Sequence, residues 1–411
     1  MDAHGAARYR IFQAWRHTRR LPRWIALAEG DNELPIDLEN ALALDTLIEL
    51  TKERERVTLV ELFPGPDHLC ARGPEGRFVH ELVLPFVRRS AAAEMSRTAV
   101  SHRTDINHNA RRSFPPGSEW LFVKLYSGPV TADEILRDAV RPVVEQALSA
   151  GTVDRWFFIR YGDPDWHLRL RFHGEAARLS DEVLPDLQSA TAPLLDSGRL
   201  YRIQHDTYHR EVERYGGPEG VALSERIFQI DSEAVLALSD LLAEDARGDL
   251  RWRIVLAGMD LLLHDLAFDL ATKHQVICKT RDALSAEFRV DVELSRQLAA
   301  KFRPERSSLQ ILLSQPTSAD APMSAALEIM RCRSQRLQPV ISELIACEKA
   351  GQLFTPLTEL APSYLHMHAN RVLRSAHRAQ ELVLYDFLAR FYQSQAAREG
   401  SALTALTPVP S

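Results

Sequence analysis

The chain has 411 residues, 45% of them apolar and 26% charged, the balance of a soluble globular protein with two or three domains. Its formal net charge of -6 argues against a surface that grips nucleic acid as a whole, yet leaves room for a local basic site. It holds no run of about 18 uncharged apolar residues, so no membrane span is expected.

The N-terminus, "MDAHGAARYRIFQAWRHTRRLPRW", has no apolar signal-peptide core. The cysteines Cys70, Cys278, Cys332 and Cys347 are far apart and form no CxxC. Reduced thiols in a cytoplasmic protein are expected, with neither a disulfide framework nor a metal site. Residues 1–90 form a first block. Within it "DLENALALDTLIELTKER" is helical, with Asp37 as its expected N-cap. "VTLVELF" and "GRFVHELVLPFV" are expected strands around the turn-rich "PGPDHLCARGPEG". Residues 91–117, poor in large apolar side chains and closing on Pro-Pro-Gly, are expected to be a linker.

A second domain is expected over residues 118–396. "EWLFVKLYSG" opens it as a strand. Helix "TADEILRDAVRPVVEQAL" follows, with capping-box spacing at Thr131 and Glu134 and a kink or break at Pro142. "RWFFIRY" and "HLRLRF" are strands joined by the turn "GDPD". The second alternates strictly: His167, Arg169 and Arg171 on one face, Leu168, Leu170 and Phe172 on the other. "RLYRIQHDTYHREVERYGG" is extended up to its Gly-Gly turn. From Pro218 the apolar residues recur at three- and four-residue intervals, ending in one long expected helix over 365–395. Residues 397–411 are expected to be a disordered tail. Strands before residue 216 and helices after it predict an α+β fold: a mostly antiparallel sheet with helices packed beside it.

No GxGxxG, Walker loop, HExxH or GxSxG is present. "DSE" at 231–233 is expected to cap a helix start. Three basic stretches remain, and each alone has a plain structural reading. "HLRLRF" can be a solvated strand face. "REVERYGG" can be a local ion-pair network, with Arg210 and Arg214 at i,i+4 and Glu211 and Arg214 at i,i+3. "YLHMHANR" puts His366 and Asn370 on one helical face, where a histidine is commonly structural. His368 is turned about 200° from His366 and is expected to be dispensable. Together the stretches offer more. Guanidiniums hold a carboxylate bidentately, and an imidazole moves a proton near neutral pH. Such a set can drive β-elimination: a base takes a Cα proton, donors hold charge on the adjacent carbonyl, and a carboxylate leaves.

At this point "EWLFVKLYSGP", "WFFIRYGDPDWHLRLRF", "YHREVERYGG", "FQIDSE" and "LHMHANR" resemble, in order, the C-terminal domain of class I lantibiotic dehydratases, also called the thiopeptide-type bacteriocin biosynthesis domain. Residues 1–90 resemble the end of the large N-terminal domain of the same enzymes. The resemblance implies a lyase step in peptide maturation. Glutamate is eliminated from glutamylated Ser or Thr of a ribosomal precursor peptide, leaving dehydroalanine or dehydrobutyrine. It implies catalytic roles for His366, Arg169, Arg171 and Arg214, and substrate contacts for Glu211, Arg210, His167, Asn370 and Arg371. No cofactor or metal is implied. The implied partners are the glutamylated precursor peptide and a separate glutamylating subunit, with no direct nucleic acid; homo-oligomerisation stays open. Two alternatives remain: a thiopeptide-type peptide cyclase, and a non-catalytic peptide-binding subunit. The arginine set favours elimination, since cyclisation has no glutamate to hold.

Overall fold

A computed structural model describes residues 3–29, 32–54, 56–63, 65, 68–74, 76–78, 111–245, 248–314 and 320–406. The chain divides into two compact units, Met1–Ile106 and Asn107–Ser411.

In the first unit β1 (Trp24–Glu29) lies between β2 (Asn32–Asp37) and β3 (Thr58–Glu61), all antiparallel. Ile25 and Leu27 of β1 share a face with Ile36 of β2. With Leu38, and with Leu44 and Leu47 of helix Ala41–Thr51, they make a small core. Asn40 caps that helix, its side-chain oxygen accepting the Leu42 and Ala43 N–H groups at 2.9 and 3.3 Å. Asp37 is therefore not the cap. It ends β2 and takes both prongs of Arg23, at 3.0 and 2.8 Å. Of the expected strand over 76–87, β5 (Gly76–Phe78) is described, paired with β4 (Ala71–Gly73). The rest of it lies outside the described residues, as do positions 91–110 of the expected linker.

The second unit begins before residue 118. β6 (Ser113–Phe114) pairs with β11 (Tyr208–His209), and buried Phe114 stacks on Tyr208 with ring centroids 5.9 Å apart. The last residues of the expected linker are thus part of this fold. Its main sheet is antiparallel, in the order β10 (Arg202–His205), β7 (Trp120–Tyr126), β9 (His167–His173), β8 (Arg155–Tyr161). β9 is central and follows its alternation. Leu168, Leu170 and Phe172 are buried on one face with Val123, Leu125, Trp156 and Phe158. Arg169 and Arg171 lie on the other, level with Lys124 and Phe122 of β7 and with Ile159 and Phe157 of β8.

Between β7 and β8 the chain is helical over Thr131–Glu134, π-helical over Ile135–Val140 and helical again over Arg141–Ser149. Pro142 does not break this run: it directly follows the π-helical stretch, where the hydrogen-bond ladder is already shifted, with Arg141 N–H bonded to Leu136 O. The expected capping box is absent: Val130 is the N-cap, and Glu134 pairs with Arg199.

After Gly217 the unit is helical: Pro218–Ala237, Asp249–Asp265, Leu270–Glu287, Val292–Ser314, Ala321–Lys349, Leu357–Val372 and His377–Leu406. The long helix expected over 365–395 is two helices, separated by an extended Leu373 and by Ala376 at φ 49°. Side chains from elsewhere satisfy the carbonyls freed there. Arg160 Nε donates to Arg371 O at 3.0 Å, and Arg251 donates to Val372 O. The tail expected from residue 397 is helical to Leu406. The α+β class is as the sequence indicates: among the described residues every strand lies ahead of residue 216, and most of the second unit's helix lies behind it.

Candidate functional site

A cavity of about 170 Å³ opens in the second unit. Its walls are Arg169 and Arg171 of β9, Phe157, Ile159 and Tyr161 of β8, and Tyr208, Glu211, Arg214 and Tyr215 from the segment before the Gly-Gly turn. Val221 and Phe228 of helix Pro218–Ala237 and His366, Met367 and Asn370 of helix Leu357–Val372 complete most of the lining. Segments far apart in sequence thus bring Arg169, Arg171, Arg214 and His366 to one space.

Arg171 is buried, and its Nε and Nη1 have no hydrogen-bond partner among the described residues. Its guanidinium lies 4.5 Å from the ring centre of Phe122, 5.0 Å from Tyr208 and 5.1 Å from Phe157. The rings attract the cation through their faces but supply no anion. Burial, the largest effect, pushes this guanidinium down to about 10. A buried donor without an acceptor is costly. Arg169 is held differently. Its guanidinium lies 3.4 Å from the Tyr161 ring centre, and its Nε donates to His167 Nε2 at 2.9 Å. That bond needs a bare His167 Nε2, so Nδ1 carries the proton and donates to Asp165 O at 2.7 Å. Burial depresses the His167 imidazole and favours this neutral form. His167 does not line the cavity; it orients Arg169.

Arg214 pairs with Glu211 at 2.7 Å, and both are partly exposed. The turn behind them needs its glycines: Gly216 and Gly217 have φ of 80° and 102°, which L side chains rarely adopt. Arg210 goes elsewhere. It forks onto fully buried Glu225 at 2.6 and 2.7 Å, a carboxylate that also accepts from Arg155 and the Tyr208 hydroxyl. With its fork spent on an internal anion, Arg210 is a structural residue and leaves the substrate-contact set.

Helix Leu357–Val372 is pinned to the edge of β8. Asn370 accepts from Arg160 N at 2.9 Å and donates to Arg160 O at 2.8 Å. Asn370 touches the cavity, but these bonds occupy its amide. His366, one turn earlier on the same face, is thereby set at the cavity wall. Its Nδ1 lies 2.6 Å from Oε1 of Glu381, which is fully buried. A carboxylate can only accept, so Nδ1 donates and Nε2 is the ring nitrogen left.

The opposite face of that helix enters a buried charge cluster. His368 Nδ1 and Arg333 Nη1 lie 2.8 and 3.0 Å from Asp231 Oδ1, and Arg371 Nη1 lies 3.0 Å from Oδ2. Arg371 also donates to Phe158 O at 2.9 Å. Two expectations change here. Asp231 caps nothing, because it sits in the middle of a 20-residue helix and is the anion of this cluster. Arg371 is buried against that anion, does not line the cavity and cannot contact a ligand there. His368 faces away from the cavity as expected, but its burial makes it structurally important.

The sequence reading missed Tyr161, Tyr208 and Glu381. Tyr161 was within reach, because it lies opposite His167 in the hairpin register. Glu381 carried no local signal, lying fifteen residues beyond His366 and past a helix break.

The family model for the lantibiotic biosynthesis dehydratase C-terminal region matches residues 120–392, and the chain belongs to that family. The model for the lantibiotic dehydratase N terminus matches residues 2–47. The subtilin biosynthesis protein SpaB of Bacillus subtilis is 27% identical over 291 residues, 70% of this chain and 28% of that protein. The nisin biosynthesis protein NisB of Lactococcus lactis subsp. lactis is 29% identical over 246 residues, 58% of this chain and 23% of that protein. The chain thus spans about a quarter of the length of these relatives. In fold it resembles the tRNA-dependent lantibiotic dehydratase MibB from Microbispora sp. 107891, with a TM-score of 0.53 and 21% identity, covering 96% of this chain and 38% of that one. It also resembles TsrL, with a TM-score of 0.51 and 16% identity over 71% of this chain and 99% of that one. Among the described residues no group of side chains is placed to hold a metal ion, and no helix is long and apolar enough to cross a membrane.

Proposed function

We propose that this chain eliminates glutamate from glutamylated Ser or Thr of a precursor peptide, leaving dehydroalanine or dehydrobutyrine. One observation carries the reading: buried Arg171, which pairs with no carboxylate among the described residues, lines the same cavity as Arg169, Arg214 and His366. Arg171 receives the glutamyl carboxylate, with Arg169 and Arg214 beside it. His366 Nε2 takes the Cα proton; the Cα–H electrons form the new double bond; the Cβ–O bond breaks, and glutamate leaves as its carboxylate. Glu211 is the one acid lining the cavity among the described residues, and it receives the glutamyl ammonium. A glutamylating partner supplies the ester, and the cytoplasm is the compartment in which both act.

The test is a chemically glutamylated peptide mixed with the purified chain. Release of glutamate and formation of a dehydro residue are expected. Turnover of a bis-dehydroalanine peptide alone would make the chain a cyclase. Peptide binding with no turnover of either substrate would make it a non-catalytic subunit.

A further inference from the structure

We infer that Glu381 is the positioning residue for proton transfer at His366, a role that rests on the elimination reading. Its carboxylate is fully buried and divided between two donors: Oε1 accepts from His366 Nδ1 at 2.6 Å, and Oε2 accepts from Arg378 Nη1 at 3.1 Å. Arg378 in turn pairs with Glu287, whose helix Leu270–Glu287 packs against the one carrying Glu381. The chain of contacts runs Glu287, Arg378, Glu381, His366, cavity.

A buried carboxylate is expensive to keep, and an ion pair that only ties helices does not need one. The more exposed Arg378–Glu287 pair already makes that tie. What distinguishes Glu381 is the direction of its first oxygen, toward a histidine that lines the site. An acceptor fixed on Nδ1 sets the ring's orientation and its tautomer, leaving Nε2 bare toward the reacting carbon. When Nε2 takes the Cα proton the ring becomes an imidazolium, and the carboxylate stabilises that charge without moving. Glu381 touches no reacting atom; it acts through His366.

Two measurements on the full chain test this. In ¹⁵N NMR of the wild-type protein, the neutral His366 ring should carry its proton on Nδ1, and Glu381→Gln should erode that preference. A wild-type ring protonated on Nε2, or a Glu381→Gln ring with an unchanged tautomer, overturns the inference. With glutamylated peptide, Glu381→Gln should lower kcat by roughly 10- to 100-fold at nearly unchanged KM, the usual worth of a group that orients another. Glu381→Asp, which keeps the charge one methylene further back, should recover part of that loss. A kcat equal to wild type in a folded Glu381→Gln protein sinks the role alone. A wild-type chain that releases no glutamate sinks the elimination reading and this role with it. Should Glu381→Gln fail to fold, Glu381→Asp decides: reduced kcat at constant KM supports the role, and wild-type kcat overturns it.

Discussion

Two groups of arginines in the second unit are both buried or half-buried, but they differ in what they face. Arg333 and Arg371 converge with His368 on Asp231, and Arg160, Arg251 and Arg374 converge on Asp133 at 2.6, 2.7 and 2.7 Å. Among the described residues Arg171 meets aromatic rings and no carboxylate, and its Nε and Nη1 have no partner, while Arg169 stacks on Tyr161 and donates to a neutral histidine. The first group carries its own anion and holds elements together. The second has none within ion-pair distance among the described residues, and it lines the cavity. Two histidines on one helix differ in another way: each meets a buried carboxylate, His368 at Asp231 and His366 at Glu381, but only His366 of the two also lines the cavity. For these buried arginines burial alone does not distinguish the two groups; a carboxylate within ion-pair distance among the described residues does.

The contrast is tested most strongly at the two histidines. His366→Ala should cut glutamate release by about 10²- to 10⁴-fold, the usual worth of a general acid–base group, with the glutamylated peptide accumulating. Its unfolding free energy should also fall, by about 1–3 kcal/mol, because fully buried Glu381 loses one of its donors. His368→Ala should lower stability by a similar amount, about 1–3 kcal/mol, because it leaves the Asp231 cluster short of a donor, but should keep most glutamate release. Equal damage to turnover from both variants, with both folded, would make this helix a structural element only.

Asp231→Asn should destabilise the fold by about 3–5 kcal/mol at neutral pH, measured by denaturant unfolding, since it strands two guanidiniums without an anion. Burial alone would raise the Asp231 carboxyl, but His368, Arg371 and Arg333 hold it well below the ordinary carboxylate range. A depressed folded-state value means stability that is present above the unfolded value and lost as pH falls below it. The gap between wild type and Asp231→Asn should therefore be widest near neutrality and narrow below about pH 4. A gap that widens toward acid would contradict this picture of the cluster.

Arg171 should show the opposite profile. Arg171→Lys keeps a charge but loses the fork, and should reduce turnover by about 10- to 100-fold. Arg171→Met removes a buried cation that has no counter-ion, so unfolding stability should hold or rise by about 1–3 kcal/mol while turnover is lost. Marked destabilisation of Arg171→Met would place Arg171 with the structural arginines.

The legible parts of the sequence were those governed by local geometry. The alternation of "HLRLRF" fixes which side chains of β9 share a face, because strand periodicity leaves no other choice. The Gly216-Gly217 turn reads directly from residues that tolerate positive φ. The i,i+4 spacing of His366 and Asn370 gave their common face. Illegible parts were those set by distant partners. Nothing near Asp231 announces a buried anion, because its partners His368, Arg371 and Arg333 lie 137, 140 and 102 residues away. The helix break after Val372 depends on Arg160 and Arg251, which take the freed carbonyls from other elements. Arg210 and Arg214 look alike in "REVERYGG", and only the fold shows Glu225 consuming the first.

The smallest expected effect is also the finest test of the comparison. Glu211 and Arg214 form an ion pair, so they could belong to the structural group. Their side chains are 56% and 42% exposed, however, and water screens such a pair. Glu211→Gln should therefore shift unfolding stability by less than about 0.5 kcal/mol. Its consequence should fall on the substrate instead. Without the one acid that lines the cavity among the described residues, the glutamyl ammonium loses its counter-charge, and KM should rise about tenfold while kcat is largely kept. A stability loss well above 1 kcal/mol with KM unchanged would return this pair to the structural set. The glutamyl site would then rest on Arg169 and Arg171 alone.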